Sequence, residues 1–357
     1  MHKKNYIIPI FIPFLGCPHD CAFCNQVKIT NYKDKVDKNS VIKQIENYLN
    51  YFNDNSVKRE IAFFGGSFTG LDPQTMTDYL KIAKSYKDNN IIDEIRLSTR
   101  PDYISISILD LLRKYSVDTI ELGIQSMNNN ILRYNQRGHS VDDSIYASRL
   151  IKEYGFKLGH QIMPGLYKDD FKNSIETAKK SIELKPDMVR IYPTLVIKDT
   201  LLEKLYKQGL YKPLELVDAI KLCAQIYILY KYNDIEVIRI GLQPTDNINI
   251  GEDVISGPFH AAFRQLVVGY IYRLMFEKII IEKDIRNTNL VIHASNKDIS
   301  MIVGNKKVNA KYFYNNYSIN FEFISDNLSY ILFNDQKISF DLDRFIIDFI
   351  NNGGDLL

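Results

Sequence analysis

At 357 residues, with 45% hydrophobic and 25% charged side chains, the chain has the make-up of an ordinary globular protein and the length for one large domain plus a small one. Its 45 basic and 43 acidic side chains nearly cancel, so charge names neither a nucleic-acid nor a membrane partner, and no run of about eighteen apolar residues marks a membrane span. Four cysteines are too few for a disulfide framework in a chain this long, which points to a reducing, cytoplasmic compartment.

The first predicted element is a strand from Tyr6 to Ile12. Met1-His2-Lys3-Lys4 and the apolar run up to Cys17 have the outline of a lipoprotein export signal, but Pro9 and Pro13 interrupt it and it is short. Three of the four cysteines then fall within eight residues, as Cys17-Pro18-His19-Asp20-Cys21-Ala22-Phe23-Cys24. Thiolates spaced in this way on a short loop can all turn toward one soft metal centre, and three ligands to a four-iron cube leave one iron open for a substrate. A zinc site completed by His19 is the competing reading, although His19 lies inside the loop and no paired zinc-ribbon cysteines follow. Cys223 reads as a small buried hydrophobe.

From here apolar strands alternate with amphipathic helices, the order of a parallel sheet with helices outside it. Strands are expected at Glu60 to Phe64, Ile92 to Leu97, Thr119 to Gly123, Lys157 to Met163 and Met188 to Tyr192. Helices are expected at Asp37 to Tyr51, Pro73 to Tyr86, Ile104 to Tyr115, Val141 to Tyr154, Asp170 to Leu184 and Thr200 to Gln208. The predicted fold is therefore α/β, a partial (β/α)6 TIM-like barrel, which a helix at Leu214 to Lys231 and a strand at Glu236 to Ile240 would extend. Chemistry in such a fold belongs at the carboxyl ends of the strands. There the chain carries Gly65-Gly66-Ser67, Ser98-Thr99-Arg100-Pro101-Asp102, Gly123-Ile124-Gln125-Ser126, Arg137-Gly138-His139 and Gln161-Ile162-Met163-Pro164-Gly165. The paired glycines let backbone approach a ligand closely, and they equally suit a tight turn. They are not a phosphate loop, because Leu71-Asp72 stands where that motif needs Lys followed by Ser or Thr. Singly, Arg137 also reads as a surface charge and Gln161 as a buried amide.

The cysteine spacing with Phe23 before the last cysteine resembles the signature of radical S-adenosylmethionine (SAM) enzymes. Together with the phrases around Gly65, Gln125, Arg137 and Met163, over roughly residues 5 to 245, it resembles the branch of the Elongator catalytic subunit and its bacterial relatives. That resemblance implies a [4Fe–4S] cluster on Cys17, Cys21 and Cys24. It implies SAM held by Phe23, Gly65, Gly66, Ser67, Ser98, Gln125, Arg137, Gln161 and Met163, with the glycines at its amino group and Gln125 and Arg137 at its methionine end. It also implies an electron donor such as flavodoxin or ferredoxin. Ser98 and Gln161 stand where the porphyrinogen-oxidising branch has carboxylates, which argues against a porphyrinogen substrate. The acetyltransferase domain of Elongator has no counterpart here. Arg239 to Thr245 and Gly257 to His260 would close the barrel mouth, with His260 either a general acid or base or a plain loop residue.

We expect a core barrel over residues 1–250, a connecting segment over 251–288 and a small α+β domain over 289–357. In the last, strand Leu290 to Ala294, helix Lys297 to Val303, the turn Gly304-Asn305-Lys306-Lys307, helix Val308 to Tyr317 and strand Ile319 to Ile324 resemble an RNA-binding KH domain. Gly304, Lys306, Lys307 and Lys311 would then pair with RNA phosphates, while a solvated lysine turn on a cap domain is the plain alternative. Two function classes follow: an enzyme acting on tRNA or another RNA, with no membrane partner, or a non-catalytic or small-molecule version whose C-terminal module only packs against the barrel; an RNA-binding protein with a structural metal site is the further alternative.

Overall fold

The computed structural model describes residues 5–12, 19–25, 36–54, 56–242, 249–354 and 356. Seven strands form one parallel sheet in the order β1-β2-β3-β4-β5-β6-β8. They are β1 (Tyr6–Ile12), β2 (Arg59–Gly65), β3 (Glu94–Thr99), β4 (Thr119–Gln125), β5 (Lys157–Ile162), β6 (Met188–Ile191) and β8 (Glu236–Ile240). The six-unit expectation is met and extended by β8. The sheet curls into an open partial barrel, with β1 and β8 as its edges. Pro9, which lacks an N–H, is tolerated in β1 because that strand pairs only with β2.

Side chains alternate along each strand and decide which face meets what. Ile8, Ile10, Ile61, Phe63, Ile95, Leu97, Ile120, Leu122, Leu158 and Val189 are fully buried beneath the helices. The intervening positions, Glu60, Arg96, Ser98, Glu121, Gln161 and Arg190, are polar and turn into the lumen. There Glu60, Arg96, Glu121 and Arg190 bind one another as buried ion pairs. The covering helices are α1 (Lys38–Tyr51), α2 (Pro73–Asp88), α3 (Ile106–Lys114), α4 (Asn129–Tyr134), α5 (Val141–Glu153), α6 (Phe171–Glu183), α7 (Leu201–Lys207) and α8 (Leu216–Tyr232). Several start on side-chain caps that satisfy their free N–H groups, such as Asp37 and Ser140, each in a reciprocal capping box. A two-strand ribbon, β7 (Val196–Ile197) with β9 (Val254–Ser256), lies beyond β6.

Helix α9 (Phe263–Glu282) follows, then a second sheet in the order β11-β10-β12-β13. Its strands are β10 (Thr288–Ala294), β11 (Ile319–Ser325), β12 (Tyr330–Phe333) and β13 (Gln336–Ser339), and its helices α10 (Asn296–Val303), α11 (Val308–Tyr317) and α12 (Leu342–Asn351). The hairpin turn between β12 and β13 falls on Asn334 and Asp335, both at positive φ. On α9, Phe276 meets the rings of Phe313, Phe321 and Phe340 at 6.5, 5.9 and 5.0 Å, so one apolar core runs from the barrel helices into the second sheet. Among the described residues no helix is long and apolar enough to cross a membrane.

Candidate functional site

The cysteine loop follows β1 at the barrel mouth. Cys17 lies outside the described residues. Cys21 is buried and Cys24 half-buried, in a small apolar pocket where Phe23 packs against Ile131, Leu166, Val196, Leu202 and Tyr211. Two backbone bonds anchor the loop: Ala22 N–H donates to the Asn135 carbonyl at 3.0 Å, and Leu202 N–H donates to the Ala22 carbonyl at 2.7 Å. Buried Asn135 is itself fixed by three side-chain bonds, to Ile131 O and to both backbone groups of Tyr167. The His19 ring lies by Tyr103, at 6.4 Å between centroids, and by the Asp102 carboxylate at 3.8 Å. Gly138, at φ 80°, makes room for it, since a Cβ there would stand 2.6 Å from the imidazole. Among the described residues, which leave out Cys17, no three His, Cys, Asp or Glu side chains are grouped to hold a metal.

The glycine loop after β2 comes next to it, with Gly65 at φ 99° and the Gly66 N–H donating to the Ile12 carbonyl at 3.0 Å. The Ser67 hydroxyl is turned inward. It bonds to Thr99 Oγ1 at 2.8 Å and accepts from the Arg100 N–H at 3.2 Å, while Thr69 and Thr99 share a 2.6 Å bond. Ser67 therefore supports the loop from behind and ties it to the end of β3. Arg100 in turn grips Asp102 with two 2.9 Å bonds, so Ser67, Arg100, Asp102 and His19 link three strand-end loops into one network. Ser98 is half-buried on the lumen face.

Arg137, read singly from sequence as a surface charge, is buried at 7% exposure. Its Nη2 donates to the Gly123 carbonyl at 2.7 Å and its Nη1 to Cys21 Sγ at 3.6 Å, while its buried Nε has no hydrogen-bond partner. Gly123 is required by this closeness: a Cβ there would lie 2.8 Å from the Gln125 amide and 2.9 Å from Arg137. Gln125 sits at φ 61° in an irregularity of β4, strained for a residue with a side chain. Its carbonyl accepts from Met163 N–H at 2.9 Å and its Oε1 from Gln161 Nε2 at 3.2 Å, which gathers Gln125, Gln161 and half-buried Met163 beside the Cys21 pocket. His139 is buried here too. Burial, then the charges of Arg137 and Arg100, push its pKa down to about 3, and its neutral ring bonds the Ile124 carbonyl at 3.3 Å.

The structure thus brings together Cys21, Phe23, Cys24, Gly65, Gly66, Ser67, Gln125, Arg137, Gln161 and Met163. Sequence reasoning missed Asn135 as a support; its bonds join segments remote in the chain, and an asparagine does not stand out alone. His260 is half-buried at the start of α9, its Nδ1 accepting from the Ala262 N–H at 3.0 Å, while Gln243, Pro244 and Thr245 lie outside the described residues.

Gly304, Lys306, Lys307 and Lys311 lie apart from this site, on the second sheet's helices. Gly304 has φ 74°, and Lys306 and Lys307 are left-handed at φ 50° and 62°, so Lys307 adopts the backbone that its position would ask of glycine. All three lysines are exposed and none forms an ion pair among the described residues. Beneath the turn, buried Asn309 donates to the carbonyls of Gly269 and Ile302 at 2.8 and 3.1 Å, locking it to α9. Alongside, the Arg273 guanidinium lies between the rings of Tyr270 and Tyr312, 4.6 Å from each.

Residues 11–178 match the family described as the Radical SAM superfamily, and residues 186–273 match its Radical SAM C-terminal domain. An uncharacterized protein of Methanocaldococcus jannaschii is 32% identical over 227 residues, 60% of this chain and 68% of that one. A tRNA uridine(34) acetyltransferase of the same organism is 34% identical over 159 residues, 44% of this chain and 29% of that one. The chain therefore spans under a third of that relative's length. The solved structure of archaeal Methanocaldococcus infernus Elp3, with an N-terminal deletion, superposes with a TM-score of 0.59 at 24% identity, covering 78% of this chain and 64% of that one, and so shares the fold.

Proposed function

Because the chain belongs to the radical SAM superfamily, whose enzymes use a [4Fe–4S] cluster and SAM, we propose that it cleaves SAM reductively at a cluster on Cys17, Cys21 and Cys24 and acts on a base of tRNA or another RNA. When bound, cluster and SAM supply a 5′-deoxyadenosyl radical that takes a hydrogen atom from the substrate. The donor set suits them: Cys21 and Cys24 offer soft sulfurs a turn apart, and Phe23 seals the pocket behind them. Arg137 carries the reading. Its guanidinium reaches the Cys21 sulfur and the Gly123 carbonyl at once and keeps a buried Nε without an acceptor, a position from which to hold a carboxylate beside the cysteine loop.

Gly65 and Gly66 would admit the amino group of SAM against bare backbone, with Ser67 fixing their loop through Thr99 and Arg100. Gln125 would join Arg137 at the methionine end, Gln161 and Ser98 would hold the nucleoside part, and Met163 would be an apolar wall that keeps water out. We assign residues 1–250 to the catalytic barrel, 251–288 to a connector and 289–357 to a KH-like module whose lysine turn pairs with RNA phosphates. Exposed Lys306, Lys307 and Lys311, without ion pairs among the described residues and on a turn locked to α9, support this assignment. A cytoplasmic enzyme served by a flavodoxin or ferredoxin follows.

The test is anaerobic iron loading followed by SAM turnover with and without bulk tRNA. We expect about four irons per chain, 5′-deoxyadenosine as a product, and a higher yield when tRNA is added. Stoichiometric zinc without iron would defeat the cluster assignment, and an absence of RNA binding would move the small-molecule class ahead.

A further inference from the structure

Helix α9 turns every fourth residue, Gln265, Gly269, Arg273 and Glu277, toward the helices of the second sheet. Gln265 bonds Ser300 and Asn305, the Gly269 carbonyl accepts from Asn309, and Glu277 accepts from the hydroxyls of Tyr312 and Tyr317. Arg273 breaks the series. Its guanidinium is clamped between the rings of Tyr270 and Tyr312, 4.6 Å from each, and its buried Nε has no hydrogen-bond partner. The two Nη groups are not buried and meet no acceptor among the described residues. Ring faces attract the charge but take none of its N–H donors, whereas a polar group this far from water ordinarily has a partner. Gly269 to Arg273 is one helical turn, about 6 Å along α9. The clamp therefore continues from the Asn309 anchor beneath the lysine turn, and exposed Lys311 immediately precedes Tyr312.

We propose that Arg273, held edge-outward by Tyr270 and Tyr312, is an oxyanion site that takes one phosphate group in a two-pronged contact. The rings fix the plane of the guanidinium before the ligand arrives, so little side-chain freedom is lost when it binds. Two phosphate oxygens fill the fork and the others stay in water, which suits a site open along one edge. Glu277, a turn further on, forms no ion pair with Arg273 among the described residues. Its Oε1 instead takes the hydroxyls of Tyr312 and Tyr317 and so holds the Tyr312 ring against the guanidinium. Its charge is outweighed by Lys306, Lys307 and Lys311. The phosphate is either one of an RNA backbone running on from the lysine turn, a source that rests on the proposed RNA reading, or that of a free phosphate ester, which does not.

The two sources are separated by measuring bulk tRNA affinity across a salt series and inorganic phosphate by equilibrium dialysis, both on the full-length protein. Arg273→Gln keeps a polar side chain and removes the charge. With an RNA phosphate in the fork it should weaken tRNA binding by about fivefold or more at low salt and lower the magnitude of the log–log slope by about 0.9. With a free ester it should lower phosphate retention by about fivefold or more and leave tRNA unchanged. Arg273→Lys keeps the charge and the packed stem but has no fork, so it should still lose about threefold or more of whichever ligand is held; it carries the test if Arg273→Gln fails to fold in a thermal melt. Arg273→Lys equal to the wild type would overturn the two-pronged contact. Wild-type protein that binds tRNA while Arg273→Gln loses neither ligand defeats the oxyanion site and leaves the RNA reading in place. Phosphate held through Arg273 without any tRNA binding defeats the RNA reading and leaves the site standing, and wild-type protein that holds neither ligand defeats both.

Discussion

Lys307 offers a test in which stability and binding should move in opposite directions. Its φ of 62° is left-handed, a conformation that costs a residue with a side chain about 1–2 kcal/mol. Lys307→Gly removes that cost but loses about 0.5–1 kcal/mol to the larger freedom of glycine in the unfolded chain. The side chain is exposed and forms no ion pair among the described residues, so little else offsets the gain. The variant should be more stable by roughly 0.5–1 kcal/mol, which raises the melting midpoint by about 1–2 °C. If the lysine pairs with an RNA phosphate, the same change lowers the magnitude of the log–log salt slope by about 0.9 and weakens binding most at low salt. Thermal unfolding and tRNA affinity at four salt concentrations read both effects. A more stable variant with an unchanged slope would show that the lysine has no part in binding. A less stable one would refute the reasoning about backbone strain.

Changing Cys17, Cys21 or Cys24 to Ala should abolish iron retention after anaerobic loading, whereas Cys223→Ala should retain it, since Cys223 is fully buried on α8 and burial pushes its thiol pKa up; iron analysis decides. Arg137→Ala should weaken SAM binding by about 1.5–3 kcal/mol, roughly ten- to 150-fold in Kd, with iron content unchanged; equal affinities by anaerobic titration would refute its assignment. His160 is held between the hydroxyls of Ser148 and Ser181, and burial pushes its pKa down to about 3. Below pH 6.5 the unfolded imidazole gains a proton that the folded one refuses, so this residue removes about 1.4 kcal/mol of stability per pH unit down to its folded pKa. Asp169, raised to about 6 by burial, acts in the opposite sense below pH 6. His160→Gln should therefore flatten the fall in stability between pH 6.5 and 5 by about one proton in denaturant unfolding.

Much of the fold was legible because its strands and helices carry their own periodicity: Tyr6–Ile12 and Glu236–Ile240 in the barrel and Val308–Tyr317 beyond it were anticipated to the residue. Helix α9 was not, because its apolar and polar residues are spread around it without a stripe that would mark a period. Short α4, capped by Asn128, carries too few turns for a pattern. At the site, the cysteine spacing is a local signal and survives translation into sequence. The burial of Arg137, the inward turn of Ser67 and the pairing of Arg190 with Glu121 are set by strands far apart in the chain, and no window of sequence contains both partners.

The apolar seam through Phe276 also bears on how the molecule comes apart. A barrel stripped of residues 289–357 would bare the face of α9 that Phe313, Phe321 and Phe340 now cover, a greasy strip prone to sticking to its own copies. The shared core also sets the lysine turn at a fixed distance from the barrel, so any nucleic acid that bound there would meet the barrel mouth only as far as its own length reaches.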